Sequence, residues 1–323
     1  MTTAAAHPLL VADAGGTNAR FAVQHEAGGP IVHVARLRTA EFASFEAAAA
    51  QAIAPLRPRP VRAMVCGAGP LVGGRIKLTN AAWQLDPATI AAHLGLSDCG
   101  LLNDLQALAL GIPHLRGDHL QPIGPPIAAD GGPRLVIGIG TGLGVAALVE
   151  TACGINAVAS EAGQIDLHPI TADEMALWPH LAPPGARVPL ESVISGPGLA
   201  RLAAALDRAR EADRASAGTT AAQRLVLVGD RPIAITALQI FVRLLGRIAG
   251  DLALVFKATG GVHLAGGVAI ALGSHLESCG FRQAFEANPA LDRLTTRIPT
   301  LRVTTDDAAL IGLAAHGAGR RTG

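Results

Sequence analysis

The chain has 323 residues, half of them hydrophobic, enough for about two domains with sizeable cores. A net charge of +1 argues against a nucleic-acid or polybasic membrane-surface role. With no Tyr, 7 Phe and 2 Trp, the chain has too few aromatic faces for a base-stacking platform.

Residues 9–13 read as a buried strand ending on a single acid, Asp13. A glycine turn follows at once, then a second apolar strand over 19–24, so the two predict a hairpin. Residues 31–37 predict a third strand, and 42–54 carry a helical pattern that stops before Pro55. Residues 61–70 predict a buried strand running into a Gly/Pro turn. Over 86–96 a helix is expected, with Asp86 as N-cap and Pro87 at the first helical position. The stretch 100–112 begins as a strand and becomes a helix.

The Pro/Gly-rich segment 121–134 predicts a loop near a domain boundary. Beyond it, 134–150 repeats the opening pattern of apolar strand, glycine turn and apolar strand, which suggests internal duplication. A helix with a charged, solvated face is expected over 197–216. A long apolar helix is expected over 236–258, closing on Lys257 at the negative end of its dipole. The most apolar region, 241–272, is interrupted by Arg243, Arg247, Asp251, Lys257 and several glycines, so it does not read as a membrane span. Residues 261–270 predict a strand entering a Gly pair, and 306–318 a closing helix.

Two glycine turns can cradle phosphates, because their backbone N–H groups face an unobstructed concavity. Thr17 and Thr141 sit inside them, and Gly266 and Gly267 offer bare backbone for an adenine ring. No GxxxxGK[ST] occurs, which excludes a P-loop. "GIGTGLG" has Leu143 where GxGxxG needs glycine, and a strand follows where a dinucleotide fold needs a helix. Cys66, Cys99, Cys153 and Cys279 are scattered and signal neither zinc nor a disulfide framework. The N-terminus lacks the charged start and apolar run of a signal peptide, so a cytoplasmic protein is expected.

The chain resembles bacterial glucokinases of the hexokinase/actin-like superfamily, in their proteobacterial form. "ADAGGTNARFA" (12–22) and "GIGTGLGVAALV" (138–149) are similar to the two phosphate motifs. "TNAAWQLD" (79–86) and "LLNDLQALALGIP" (101–113) stand between them. "SEAGQIDLHP" (160–169), "ESVISGPGL" (191–199), "GGVHLAGGV" (260–268) and "FRQAFEANP" (281–289) follow in the family's order. The resemblance implies an α/β protein with a two-domain actin-like/ribonuclease H-like fold, mixed sheets flanked by helices and an interdomain cleft. Residues 1–115 plus 305–323 are expected to form the smaller domain, and 116–304 the larger. It implies ATP and Mg²⁺ as cofactors. Ala12, Asp13, Ala14, Gly15, Gly16, Thr17, Asn18, Gly140, Thr141, Gly142, Gly266 and Gly267 are expected around the nucleotide, with Asp13 holding Mg²⁺ through water.

By the same resemblance Asp104 is the general base that takes the proton from the sugar 6-hydroxyl as it attacks the γ-phosphate. Asn103, Glu161, Gln164 and Glu191 are expected to bind glucose hydroxyls. The family pattern Glu-Gly-Gly-His is here "EAGQ". Gln164 can donate and accept hydrogen bonds but cannot carry a proton near neutrality as His can. Ala162 would be strained if its backbone needed positive φ. Three readings stay open: a glucokinase with a tolerated variation, a kinase for another hexose, and a weakly active or inactive sugar-binding regulator. A filament-forming ATPase is disfavoured by the paired sugar-site acids. Neither nucleic acid nor membrane is an expected partner, and the resemblance admits a homodimer.

Overall fold

The computed structural model describes residues 7–152, 154–215 and 233–319. Cys153 and Ser216, which the sequence reading touched, lie outside them. The chain forms two compact units: Met1–His119 with Leu148–Ala159 and Thr305–Gly323, and Leu120–Ala147 with Ser160–Thr304. The sequence reading keeps 116–304 together; by packing, the second unit begins at Leu120, and 148–159 belongs with the first.

The first unit is built on a five-stranded mixed sheet of β1 (Leu9–Ala14), β2 (Asn18–Gln24), β3 (Ile31–Arg38), β4 (Arg62–Gly67) and β8 (Asp98–Asn103), in the order β3-β2-β1-β4-β8. The expected hairpin is present: β1 and β2 are antiparallel, with Asp13 opposite Arg20. β4 runs parallel to β1, and β8 parallel to β4. Both faces of β1 are covered, which is why it reads as an unbroken apolar run. Leu10, Ala12 and Ala14 pack with Phe21, Phe45 and Trp83. Leu9 and Val11 face the other way, with Met64, Cys66, Leu310 and Leu313.

That second face is covered by α3 (Asp104–Gly111) and α11 (Ala308–Gly319). These two helices touch backbone to backbone: a Cβ at Gly111 would overlap the Ala308 carbonyl, and one at Gly312 the Ala107 carbonyl. The helix expected over 42–54 begins later, as α1 (Phe45–Ile53), with Ser44 as its N-cap. α2 (Pro87–Leu94) starts as expected: Asp86 accepts from the N–H groups of Ala88 and Thr89, and Gly95 closes it in the left-handed conformation. Three short strands, β5 (Leu71–Val72), β6 (Arg75–Lys77) and β7 (Gln84–Leu85), form a small antiparallel sheet that the sequence reading did not contain.

The second sheet joins β9 (Leu120–Pro122), β10 (Arg134–Ile139), β11 (Leu143–Thr151), β12 (Gly154–Ser160), β13 (Val262–Ala265) and β14 (Thr300–Val303), in the order β12-β11-β10-β13-β14-β9. Helices α4 (Ala172–Leu181), α5 (Gly196–Ala215) and α6 (Ile233–Val255) build its core with α7 (Gly267–Leu272), α8 (His275–Ser278), α9 (Phe281–Glu286) and α10 (Asp292–Thr295). α6 is long and apolar enough to cross a membrane by composition alone. Its buried face, including Phe241, Leu245 and Leu252, instead lies in this core. Gly246 and Gly250 let α9 approach, since a Cβ at either would overlap the carbonyl of Phe281 or Phe285.

One expectation changes here. The long helix ends at Val255, and Lys257 sits in its closing turn at φ 47°, with the Lys257 N–H donating to the Leu254 carbonyl and the Ala258 N–H to the Ala253 carbonyl. The block 281–289 is structural. Arg282 reaches the carbonyls of Thr295, Thr296 and Ile298 and the hydroxyl of Thr300, and its Nε donates to Glu286. That guanidinium thereby fastens α9 to the turn leading into β14.

Candidate active site

In the first unit, Asp13 ends the β1 face that carries Leu9 and Val11. The neighbouring strand presents Cys66 there, its Sγ 3.5 Å from Asp13 Oδ1. Arg20, opposite in the hairpin, places Nη2 2.5 Å from Asp13 Oδ2 and donates through Nη1 to the Asp306 carbonyl, just before α11. Burial opposes the Arg20 charge, but the Asp13 carboxylate outweighs it and the guanidinium pKa is raised. Cys66 is fully buried; desolvation pushes its thiol well above the usual range, reinforced by the Asp13 and Asp104 carboxylates.

The 15–18 turn is tight: the Gly15 N–H donates to the Asn18 carbonyl, and the Thr39 hydroxyl donates to the Gly15 carbonyl. A Cβ at Gly16 would stand 2.8 Å from the Asn80 Cβ, so this glycine admits the 79–80 segment. Thr17 is exposed, whereas the side chains of Ala12 and Ala14 are buried in the core, so only their backbones can face a ligand.

Asn103 and Asp104 stand where β8 becomes α3. The capping role belongs to Asn103: its Oδ1 accepts from Leu105 N at 2.9 Å and Gln106 N at 3.3 Å, and Gln106 completes a capping box. Its Nδ2 donates to the Gly69 carbonyl at 3.0 Å, which leaves that nitrogen's second hydrogen for another acceptor. Asp104 occupies the first turn, where the positive end of the helix dipole favours a carboxylate; its Oδ1 also accepts from Leu105 N.

In the second unit, the three remaining clusters lie close together. Gly140 N donates to the Gly142 carbonyl, and Gly196 N, at the start of α5, donates to the Gly140 carbonyl. Gly266, at φ 92°, lies on the Ile139 backbone. A Cβ at Gly140 or Gly267 would project into open space. Thr141 is exposed in the same loop.

Backbone bonds from Leu190 N to the Ile165 carbonyl and from Leu167 N to the Val188 carbonyl align two short turns, 162–164 and 190–192. Their side chains meet: Gln164 Nε2 lies 3.4 Å from Glu191 Oε1. Glu191 Oε2 accepts from Leu143 N at 3.0 Å, in the second glycine loop. A Cβ at Gly142 would overlap that same oxygen. Glu161 opens the first turn with an exposed side chain, and its carbonyl accepts from Gln164 N. Ala162 sits in an ordinary 3₁₀ turn and is unstrained; Lys257 is the one non-glycine residue at positive φ among the described residues.

Arg20, Cys66 and Asn80 were missed by the sequence reading. A signal existed for Arg20: a hairpin closed by the turn between Ala14 and Asn18 sets Arg20 opposite Asp13.

A family model described as Glucokinase matches residues 10–319. The glucokinase of Chelativorans sp. (strain BNC1) is 40% identical over 312 residues, covering 96% of this chain and 91% of that protein. The crystal structure of a glucokinase from an Antarctic psychrotroph superposes with a TM-score of 0.80 at 31% identity, covering 96% of this chain and 98% of that one. The glucokinase of Balamuthia mandrillaris, solved in complex with glucose, shares the fold with a TM-score of 0.76 at 21% identity, covering 96% and 93% of the two chains. On this match along nearly its whole length, with mixed sheets flanked by helices in each unit, the chain belongs to the glucokinase family.

Proposed function

We propose that the protein transfers the γ-phosphoryl group of ATP to the 6-hydroxyl of glucose, giving glucose 6-phosphate and ADP. The observation that carries this reading is Asp104 in the first turn of α3, beside Asn103, in a member of the glucokinase family. Phosphoryl transfer needs positioning, charge neutralisation and a base for the hydroxyl proton. Asp104 accepts that proton as the sugar oxygen forms its bond to phosphorus and the bond to the ADP oxygen breaks. Asn103, Glu161, Gln164 and Glu191 hold the sugar hydroxyls; paired polar contacts penalise analogues that lack a hydroxyl.

The turns at 15–18 and 140–142 offer backbone N–H groups to phosphate oxygens, and Gly266 and Gly267 give the adenine an unobstructed backbone. Asp13 suits Mg²⁺ in donor chemistry: a carboxylate at a strand end, beside a glycine turn, offers the hard oxygen that this cation prefers. Arg20 engages Oδ2 and the Cys66 thiol donates weakly to Oδ1, so a metal-bound water would meet the carboxylate beside that thiol. When bound, Mg²⁺ neutralises phosphate charge.

Gln164 in the family's His position keeps a second reading open, a preference for another hexose. An ADP-release assay with Mg²⁺–ATP against glucose, mannose, fructose, N-acetylglucosamine and no sugar separates the two. The proposal predicts the highest kcat/KM with glucose. Preference for another sugar assigns the 162–164 change to specificity, and no sugar-dependent release from folded protein refutes the kinase reading.

A further inference from the structure

Glu191 is expected at the sugar, yet one of its oxygens lies on the second glycine loop. Oε2 accepts the Leu143 N–H, and glycine at 142 is what makes room for it. The other oxygen is held by Gln164 Nε2. The 162–164 turn rests on the same backbone, since a Cβ at Gly163 would overlap the Leu143 carbonyl. The carboxylate thus sits at the loop as an anion would, on an N–H that a phosphate oxygen could otherwise take.

We infer that Glu191 is a stand-in anion that occupies the 140–143 loop until sugar binds, and that Gln164 is the positioning residue holding it there. The inference rests on the proposed function, because it takes this loop to be a phosphate site. Sugar hydroxyls compete for the Glu191 carboxylate and draw it off Leu143 N. The loop N–H is then open to the nucleotide, and a fixed negative charge no longer opposes the phosphates. Sugar and nucleotide binding are coupled through one carboxylate, and the coupling must be reciprocal. Gln164 acts here as an amide donor, which explains how the chain dispenses with a protonatable group at this position.

The test is calorimetric titration of the full chain with Mg²⁺ and AMP-PNP, a non-hydrolysable ATP analogue, without sugar and with saturating glucose. Glucose should tighten AMP-PNP binding by about fivefold, the lower end of ordinary coupling. Without sugar, Glu191→Gln and Gln164→Leu should each bind AMP-PNP about fivefold more tightly than wild type. Gln164→His, which restores a ring N–H donor, should return to the wild-type value. A group with only a structural role would leave sugar-free nucleotide affinity unchanged or weaken it. Unchanged or weaker binding in both variants, or no effect of glucose on wild type, overturns the inference while leaving the kinase reading intact. No AMP-PNP binding by any of the four proteins overturns the proposed function and this inference together.

Discussion

In the proposed reaction Asp104 and Asn103 divide two tasks that a single acid at a strand–helix junction could have performed alone. Because Asn103 caps α3, Asp104 is not needed to start the helix. Asp104→Asn should therefore leave folding and glucose affinity nearly unchanged while lowering turnover by about 10²- to 10⁴-fold, the usual worth of a general base. Paired calorimetry with glucose and steady-state kinetics check this; lost binding with turnover retained would remove Asp104 from the role. Of the candidate residues, Asp13 and the glycine turns stand out in the sequence because they interrupt apolar strands, whereas Glu161, Gln164 and Glu191 were drawn from the family resemblance. Their partners were harder to read. Gln164 and Glu191 stand 27 positions apart, and only the pairing of 165–167 with 188–190 brings them into contact.

At the scale of elements, legibility followed length and punctuation. The β1–β2 hairpin and α2 carry clean signals: alternation around a glycine turn in one, Asp-Pro at the start and Gly95 at the end in the other. β5, β6 and β7 are 2 or 3 residues long, too short to show a period. β9 hides in the Pro/Gly-rich segment because it is an edge strand, where Pro122 is tolerated. β12 was missed because it is an edge strand with no buried face. α4 did have a readable start: Thr171 caps it by accepting from Glu174 N, the familiar T-x-x-E pattern. Its interior Pro179 masked the pattern. The run ending at Lys257 looked like helix because charge suits a C-terminus, but the left-handed backbone there belongs to the turn that closes the helix after Val255.

The contact between α3 and α11 yields a prediction at this scale. Both helices are Ala- and Gly-rich because their backbones touch. Gly312→Ala places a methyl group on the Ala107 carbonyl, where no flexible side chain can move aside. Overpacking of this kind costs about 1–3 kcal/mol. Urea unfolding should show a lower midpoint for the variant, whereas Gly319→Ala, whose Cβ meets nothing, should match wild type. Equal midpoints for the two variants would contradict the close approach.

Over the whole molecule, the repeated opening pattern recurs as neighbouring strands on either side of a glycine turn, β1 and β2 in one sheet and β10 and β11 in the other. The sequence did not reveal that 148–159, the end of the second repeat and most of the strand after it, groups with the first unit, because that depends on long-range contact rather than local pattern. Stability of the whole chain should depend on pH through His263 in β13. Burial lowers its pKa from 6.5 to about 4, and the Leu135 carbonyl, 3.3 Å from Nδ1, only partly offsets this. Between pH 6.5 and 4 the unfolded chain takes up a proton that the folded chain refuses, so stability falls as pH falls through that window. The loss from this residue amounts to about 3 kcal/mol at most. His263→Leu should flatten the fall in melting temperature over that range; an unchanged slope would show that other groups control it.

The central claim is that phosphate passes from ATP to a sugar rather than to water. The most direct measurement is phosphorus NMR of a reaction containing the protein, Mg²⁺–ATP and glucose. Glucose 6-phosphate and ADP should accumulate in equal amounts, with neither forming at a comparable rate when glucose is omitted. ADP accompanied by inorganic phosphate, at the same rate with and without glucose, would contradict the account.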